Sequence, residues 1–171
     1  MNLRTMSSLQ AERTLTRIAY EIVERNRGTD NLIVFGIERA GAQLAKSLAA
    51  QLARIEGKTI CSHGLDVTEF RDDVGDGQSG SSEPVTTGPD VTDRDVILVD
   101  AVLFTGRTVR AALDAVVRFG RPRSIQLMVL IDRGHREYPI QPDYVGKVIP
   151  TKHVERVLVE VGDEIAVQVV E

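Results

Sequence analysis

The sequence predicts an α/β protein in which a mostly parallel, twisted sheet is covered by helices on both faces. Short apolar runs recur along the chain, stretches of helical periodicity separate them, and the last segment changes to strict alternation. Apolar strands that alternate with amphipathic helices are typical of parallel sheets buried on both sides. We expect a single domain over residues 1–171, because a chain of 171 residues can build one sizeable core.

The first predicted element is a helix that Ser7 or Ser8 can cap and that Gly28 can end. Its apolar residues recur at the i, i+3, i+4 spacing of one helical face. Strand and helix patterns then succeed one another, and a further strand follows them. The predicted strands are 32–37, 96–99 and 125–131, and the predicted helices between them are 41–54 and 108–119.

Two segments depart from this succession. Residues 74–95 are rich in Gly, Ser and Pro and have no periodicity, and loops of roughly 20 residues in compact domains are usually functional lids or disordered insertions. We therefore expect a flap or lid over about residues 70–95. Residues 154–170 alternate apolar and polar positions on both sides of Gly162-Asp163, which predicts a C-terminal antiparallel hairpin.

Composition excludes several classes of protein. The net charge of -4 gives no general attraction to nucleic acid or membrane, so any polyanion site must be a local patch. Cys61 is the only cysteine, so no internal disulfide can form, and its strand-like surroundings predict that it packs as a small hydrophobe. No Cys/His cluster suggests a metal site, and no apolar run resembles a signal peptide or a membrane span. We expect a cytoplasmic protein.

The segment VILVDAVLFTGRTVRAALDAV carries the clearest functional signal. A buried strand ends at an acid, Asp100, and leads through Thr-Gly-Arg-Thr into a helix. A helix start offers unpaired backbone N–H groups, Gly106 lets the backbone approach an anion, and threonine hydroxyls add donors. Thr-Gly-Arg-Thr alone would also fit an ordinary turn with a threonine cap. The whole pattern over 96–108 favours a phosphate loop.

Four blocks of the chain are similar to one known family. They are RTLTRIAYEIVERNRG near the start, LDVTEFRDD, RTVRAALDAVVRFGRPRSIQL after the phosphate loop, and IDRGHREYPIQPDYVGKVIPT. With residues 96–108, they resemble the bacterial pyrimidine-operon attenuation regulators with uracil phosphoribosyltransferase activity, the PyrR family, which has the type I phosphoribosyltransferase fold. The resemblance spans nearly the whole chain, and the last block separates this family from other members of the fold.

The resemblance implies both a reaction and a site. Members transfer the ribosyl phosphate of phosphoribosyl pyrophosphate (PRPP) to uracil, giving UMP and pyrophosphate, with Mg²⁺ carried on the pyrophosphate and no tightly bound cofactor. Asp100 would bind the ribose hydroxyls, and Arg71, where the flap begins over 70–73, would reach toward pyrophosphate; these two are the candidate catalytic residues. The implied ligands of the 5-phosphate are Thr105, Gly106, Arg107 and Thr108, and residues 144–149, with Tyr144, Val145 and Ile149, would form the wall around the base.

Two departures from the family pattern fall on the PRPP site. The pattern has two adjacent acids after the strand, and this chain has Asp100-Ala101. In the pyrophosphate loop, relatives read Thr-Arg-Gly where this chain reads Arg39-Ala40-Gly41, so Arg39 compensates only if the loop is rebuilt. A hydrogen bond to a charged group contributes about 1.5–3 kcal/mol, so each loss weakens transition-state binding. We expect weakened or lost catalysis and a persistent nucleotide pocket.

Family members bind a hairpin in the leader RNA of pyrimidine genes through a basic face of a dimer, with UMP as effector. A homodimer or homotetramer is therefore expected. The charged residues of the first helix would equally fit a solvated face with i, i+4 pairs. His135 is assigned no role as a general base. The candidate RNA-binding residues are Thr16, Arg17, Arg25, Arg27, Arg133, His135, Arg136, Lys147 and Lys152.

Three functions follow from the sequence. The predicted one is an RNA-binding regulator that senses UMP, with uracil phosphoribosyltransferase activity weakened or lost. The second is a fully active uracil phosphoribosyltransferase, which Ala40 and Ala101 oppose. The third is a repurposed relative whose pocket binds another phosphorylated ligand. The first two are compatible, because the family combines them.

Overall fold

The structure is a computed structural model, and it describes residues 3–72 and 88–171. Within these ranges a five-stranded parallel sheet and a three-stranded antiparallel sheet are accompanied by three α-helices. The strands are β1 (Leu3–Met6), β2 (Leu32–Ile37), β3 (Ser62–Leu65), β4 (Asp95–Leu103), β5 (Ser124–Asp132), β6 (Tyr144–Val148), β7 (Arg156–Val161) and β8 (Ile165–Val170). The helices are α1 (Ser8–Asn26), α2 (Glu38–Glu56) and α3 (Arg107–Val116), and short 3₁₀ turns span Thr68–Phe70 and Val117–Phe119.

The parallel sheet has the strand order β3-β2-β4-β5-β6, and its three central strands are buried on both faces. Neighbouring residues of these strands enter different cores, because successive side chains of a strand point to opposite faces. The core on the α1 and α2 face includes Val34, Ile97 and Met128, and the core on the α3 face includes Phe35, Leu98 and Val129. The predicted fold class, a mostly parallel sheet with helices on both faces, is confirmed.

Helix α1 begins at a complete capping box. The Ser7 N–H donates to Gln10 Oε1 at 2.8 Å, and the Gln10 N–H donates to Ser7 Oγ at 3.3 Å. At the other end, Arg27 adopts the left-handed conformation, with φ of 54°, and the Gly28 N–H donates to the Val23 carbonyl at 2.9 Å. The predicted start is confirmed, and the left-handed position at the end belongs to Arg27 as well as to Gly28.

Helix α2 begins at Glu38, three residues before its predicted start at residue 41. Ile37 is the N-cap and makes no side-chain capping bond, while Glu38 takes a left-handed φ of 56°. The prediction of a separate loop at Arg39-Ala40-Gly41 was therefore wrong, since these residues form the first turn of α2. Strand β2 ends at Ile37 and α2 begins at Glu38, so the chain changes from strand to helix at Glu38 with no loop between the two elements.

The second sheet has the order β1-β8-β7 and is antiparallel. Val161 pairs with Ile165 next to the turn, so the predicted C-terminal hairpin is confirmed. The sequence did not reveal β1, a four-residue strand whose partner lies at the far end of the chain. Ile165 and Val167 belong to the core on the α1 and α2 face, so this sheet adds to that side of the molecule.

Several predictions concern loops. The predicted flap over about residues 70–95 lies largely outside the described residues, since 73–87, including Asp73, are not among them. Cys61 was predicted to be packed, and this was wrong: it is exposed and immediately precedes β3. No helix within the described ranges is long and apolar enough to cross a membrane.

Candidate functional site

The Thr-Gly-Arg-Thr segment joins the end of β4 to the start of α3. Gly106 is the N-cap of α3 and has φ of 91°. Because glycine has no side chain, the cap residue makes no side-chain hydrogen bond to the first N–H groups of the helix. Thr105 holds the turn on both sides: its hydroxyl accepts from the Arg107 N–H at 3.3 Å, and its carbonyl accepts from the Glu137 N–H at 2.9 Å. The result is a fixed loop that ends in the positive end of a helix dipole.

A cavity of about 360 Å³ opens at this loop. The predicted ribose ligand Asp100, the predicted pyrophosphate ligand Arg71 and the four predicted ligands of the 5-phosphate are among the residues that line it. The lining residues are Arg71, Asp100, Val102, Leu103, Phe104, Thr105, Gly106, Arg107, Thr108, Val109 and Glu137. The cavity lies at the carboxyl end of a parallel strand, where ligands of open α/β sheets bind.

Asp100 is a half-buried acid on the cavity wall. Burial raises its pKa to about 7, and the negative charge of Glu38 adds to this effect, whereas the Ala101 N–H, which donates to Asp100 Oδ1 at 2.8 Å, and the charge of Arg71 oppose it. Near neutral pH both protonation states are populated. The carboxyl group can therefore accept or donate a hydrogen bond to a ligand hydroxyl.

Asp100→Asn is expected to stabilise the protein above pH 7. Since the folded pKa of about 7 lies above the ordinary value of 3.8, the wild type loses stability as pH rises from about 4 to 7. The amide lacks this loss, so the free energy of unfolding of the variant should exceed that of wild type by up to about 4 kcal/mol at pH 8. Urea unfolding at pH 4 and pH 8 measures the free energy of unfolding of the wild type and of the variant. An equal difference at the two pH values would contradict the raised pKa.

Arg107 is already engaged by two acids. Its Nε donates to Glu137 Oε2 at 2.6 Å and its Nη1 to Asp72 Oδ2 at 3.1 Å. Its guanidinium also lies over the Tyr138 ring, 4.8 Å from the centroid. A phosphate that enters the cavity must compete with two carboxylates for this side chain. The backbone N–H groups and threonine hydroxyls of the loop face no such competition from acids.

Comparison with known proteins agrees with this geometry. The model of the phosphoribosyl transferase domain family matches residues 6–162. The chain is 52% identical over 155 residues to the bifunctional protein PyrR of Bacillus subtilis (strain 168), covering 88% of this chain and 85% of that protein. The chain belongs to the PyrR family of phosphoribosyltransferases. A second relative, the bifunctional protein PyrR of Acetivibrio thermocellus, is 51% identical over 152 residues, covering 86% of this chain and 81% of that protein.

Solved structures support the fold of this PyrR-family chain. The hypoxanthine phosphoribosyltransferase of Trypanosoma cruzi, solved with the product IMP, superposes with a TM-score of 0.67 at 17% identity and covers 86% of this chain and 76% of that one. The hypoxanthine phosphoribosyltransferase of Staphylococcus aureus gives a TM-score of 0.66 at 16% identity, with 88% and 79% covered. The type I phosphoribosyltransferase fold inferred from the sequence is confirmed.

Both departures noted in the PyrR-family pattern lie in ordered structure. Ala101 is only 5% exposed and is not among the residues that line the cavity. Arg39 is exposed in the first turn of α2 and is also absent from the lining. The structure thus does not bring Arg39 to the cavity that Asp100 and Arg71 line.

The three residues predicted to form the base wall do not line the cavity. Tyr144 is buried, and its hydroxyl donates to Gln126 Oε1 at 2.6 Å within the core. Val145 is half-buried in β6, and the Ile149 N–H donates to the Asp132 carbonyl at 2.9 Å just after that strand. None of these three residues belongs to the cavity lining. Their role in holding a base stays a prediction.

The candidate RNA residues of α1 lie beside the edge strand β6. The Arg17 guanidinium donates to the carbonyls of Val145 and Gly146 at 3.0 and 2.9 Å and also pairs with Glu21 at 2.7 Å. Arg25 pairs with Asp143 at 2.9 Å. The expected i, i+4 pair of a solvated helix face is therefore present in Arg17–Glu21. The remaining candidates differ in setting: the Thr16 hydroxyl contacts Gln51 at 3.3 Å, and Arg27 is exposed.

The arginines of the Arg-Gly-His-Arg-Glu block lie within the molecule. Arg133 is 6% exposed, with its guanidinium 4.0 Å from the centroid of the Phe104 ring and 3.0 Å from the Lys152 carbonyl. Arg136 makes a two-pronged pair with Asp132, at 2.9 and 2.7 Å, and donates to the Phe104 carbonyl at 3.1 Å. Both side chains contact Phe104, the residue directly before Thr105.

The remaining basic candidates are at the surface. His135 is exposed, has φ of 64°, and its Nε2 lies 2.6 Å from the Thr151 carbonyl. Lys147 donates to the Thr5 carbonyl at 3.0 Å, and Lys152 is exposed. Lys147 directly follows Gly146, whose carbonyl accepts a hydrogen bond from Arg17. The structure thus brings only part of the predicted basic set to one face.

Some residues of the site were not predicted as ligands. Phe104 lines the cavity within residues 96–108, and Glu137 lines it from the Arg-Gly-His-Arg-Glu block, of which only the basic residues had been singled out. Glu38 reaches Arg71 at 3.1 Å. The signal for Glu38 was its place directly after an apolar strand, at the carboxyl edge of the sheet. No cluster of three or more His, Cys, Asp or Glu side chains that could hold a metal ion occurs within residues 3–72 and 88–171.

Proposed function

We propose that the protein is a UMP-sensing regulator of pyrimidine genes that binds a hairpin in leader RNA, and that its uracil phosphoribosyltransferase activity is weakened or lost. The observation that carries the proposal is the cavity itself, which joins an intact phosphate loop to Asp100. The names of the relatives, bifunctional proteins PyrR, support the same family of functions.

Nucleotide binding would use the parts of the cavity that are complete. The 5-phosphate would accept hydrogen bonds from the first N–H groups of α3 and from the hydroxyls of Thr105 and Thr108. Asp100, with its pKa near 7, would pair with a ribose hydroxyl in either protonation state. Val102, which is half-buried, offers apolar surface to the rest of the ligand. UMP requires nothing further from the pyrophosphate half of the site.

Transfer from PRPP would need more than the cavity supplies. The departure of pyrophosphate develops negative charge on the leaving group and positive charge on the sugar, and both must be held. Ala101 removes a second carboxylate, and Arg39 lies outside the cavity lining. Mg²⁺ would arrive with PRPP as part of the substrate, and Asp100 is the acid of the strand end that could face it. These losses favour sensing over catalysis.

UMP binding would be linked to RNA binding through Arg133, which connects the phosphate loop to the surface near Lys152. Phe104 immediately precedes Thr105, and Arg133 joins the Phe104 ring to the Lys152 carbonyl. A ligand that fixes the loop therefore acts on the same network that positions the surface at residues 151–153. Arg17 and Lys147 would add phosphate contacts, and unpaired bases would supply sequence recognition. A homodimer or homotetramer would widen this face.

A filter-binding titration tests the proposal. The full-length protein is titrated against a labelled pyrimidine-leader hairpin, with and without UMP, and against a hairpin of shuffled sequence. We expect UMP to raise affinity for the leader hairpin by about tenfold or more and to leave the shuffled RNA unaffected. Equal affinity with and without UMP would refute the regulator and favour a repurposed relative.

A transfer assay tests the catalytic part separately. Uracil, PRPP and Mg²⁺ are supplied, and the appearance of UMP is followed. We expect a rate far below the usual range of about 1–1000 per second. Turnover within that range would show that the chain is a working uracil phosphoribosyltransferase despite Ala40 and Ala101.

A further inference from the structure

An acidic side chain stands where β2 turns into α2. Glu38 is the first residue of α2 and has a left-handed φ of 56°, a conformation that residues other than Gly, Asn and Asp seldom adopt. Such residues persist only where the surrounding structure fixes them, and they cluster at functional sites. Its carboxylate lies at the positive end of the α2 dipole, and about half of the side chain is exposed to solvent.

The turn that carries Glu38 is held by close backbone contacts. A Cβ on Gly36 would lie 2.3 Å from the Gly41 carbonyl oxygen, and a Cβ on Gly41 would lie 2.7 Å from the Val99 carbonyl oxygen. The turn therefore presses directly on β4, one residue before Asp100. The position of Glu38 relative to the cavity wall is set by the backbone and not by a flexible loop.

Glu38 forms an ion pair with the cavity residue Arg71. The Arg71 Nη1 lies 3.1 Å from Glu38 Oε1, with 26% and 48% of the two side chains exposed. Both charges also act on Asp100, in opposite directions. Glu38, Arg71 and Asp100 thus form one charged group beside the phosphate loop.

We propose that Glu38 is a specificity-determining residue that excludes pyrophosphate and PRPP from the Arg71 side of the cavity while leaving a nucleoside monophosphate free to bind at the 105–108 loop. The inference rests on the proposed function, because it explains how one cavity would separate UMP from PRPP. A diphosphate approaching Arg71 meets a fixed carboxylate that already neutralises the arginine. UMP carries its phosphate at the other end of the ribose and does not need Arg71.

The negative charge of Glu38 opposes the binding of a second anion at Arg71. Like charges held close together near a protein surface repel strongly, and salt screens them only in part. An arginine that already pairs with a carboxylate offers fewer donors to an incoming phosphate. Removal of the Glu38 charge should therefore strengthen pyrophosphate binding and change UMP binding little.

The test uses Glu38→Gln, which keeps the length of the side chain and removes its charge. Calorimetric titrations with pyrophosphate, PRPP and UMP, each with Mg²⁺, are compared between wild type and variant. We expect pyrophosphate and PRPP to bind at least about tenfold more tightly and UMP to change by less than about threefold. Equal gains for all three ligands, or no gain for pyrophosphate, would overturn the inference.

Two further variants keep the test decisive. Glu69→Gln removes an exposed acid two residues before Arg71, so an equal effect there would mean that only net charge matters. Glu38→Asn also removes the charge and suits the left-handed conformation, which covers the case in which glutamine disturbs the turn. Absence of UMP binding in wild type would refute the proposed function alone, since the pyrophosphate comparison would still report on Glu38.

Discussion

Gly36→Ala is expected to destabilise the protein by about 4 kcal/mol or more, the largest effect of any single methyl group that we consider. The new Cβ would lie 2.3 Å from the Gly41 carbonyl oxygen and 2.4 Å from Ala42 Cα, and both are backbone atoms of the first turn of α2. Gly36 cannot shift, since its strand is paired on both sides, with β3 and β4. Urea unfolding measures the loss.

Gly64→Ala is the matched control. Gly64 is the register partner of Gly36 in the neighbouring strand, yet a Cβ there would meet only Ala42 Cβ at 3.9 Å, an ordinary contact. We expect its free energy of unfolding to stay within about 1 kcal/mol of wild type. If Gly36→Ala and Gly64→Ala unfolded at the same urea concentration, this would contradict the close contact between the α2 backbone and Gly36 of β2.

Gly106→Val is expected to weaken UMP binding by about 100-fold or more. Gly106 has φ of 91°, which a β-branched residue does not tolerate, and its Cβ would lie 3.0 Å from Ile140 Cγ1. Relief of this strain turns the loop and moves the first N–H groups of α3 away from the phosphate. Since a hydrogen bond to a charged group contributes about 1.5–3 kcal/mol, the loss of two gives an effect of this size.

Gly57→Val separates loop geometry from strain in general. Gly57 ends α2 with φ of 67°, and a Cβ there would meet no atom within 4 Å. Both variants should lose a similar amount of stability from the positive φ, but Gly57→Val should bind UMP within about threefold of wild type. A calorimetric titration of UMP into each variant decides this. Equal weakening in both would show that the 105–108 loop is not the phosphate site.

Strands β2, β4 and β5 of the parallel sheet could be predicted from the sequence because they contain continuous apolar runs. The edge strands β3 and β6 were not predicted, because they are short and mix glycine and polar residues with apolar ones. The strand–loop–helix around Thr-Gly-Arg-Thr could also be predicted, because the whole pattern of buried strand, acid, glycine-containing turn and amphipathic helix over 96–108 is more specific than the four residues alone. Strand β1 escaped detection because a short strand is defined by its partner, and that partner, β8, lies at the opposite end of the chain. Local pattern carries no information about such a pairing.

The start of α2 shows a second limit. Helix starts are recognised by Ser, Thr, Asp or Asn caps, and here Ile37 occupies the cap position with no side-chain bond. The helix can begin at Glu38 because the glycines at 36 and 41 allow the turn to press against β4. That requirement is three-dimensional. The sequence therefore placed Arg39 in a loop, whereas the structure places it on the exposed first turn of a helix.

The charged residues of the site were the hardest to assign. The family resemblance assigned Arg133, Arg136 and Lys152 to one basic, RNA-binding face. Their partners, the Phe104 ring and the Asp132 carboxylate, turn both inward. The acids that balance the cavity, Glu38 and Glu137, could be placed only once their distances to Arg71 and Arg107 were known.

The pairing of arginines with acids gives the site its character. Arg71 faces Glu38, and Arg107 faces Glu137 and Asp72, so neither guanidinium is available to a phosphate without competition. The backbone N–H groups at the start of α3 are not paired with an acid in this way. We therefore expect the cavity to bind one phosphate at this position more readily than a sugar that carries three phosphate groups.

One measurement tests this account most directly: calorimetric titration of the wild-type protein with UMP and, under the same conditions, with PRPP and Mg²⁺. We expect one UMP to bind per chain, with PRPP binding at least about tenfold more weakly, because the phosphate loop is complete and the pyrophosphate side is occupied by Glu38. Tighter binding of PRPP than of UMP would contradict the account and identify the cavity as a site for transfer.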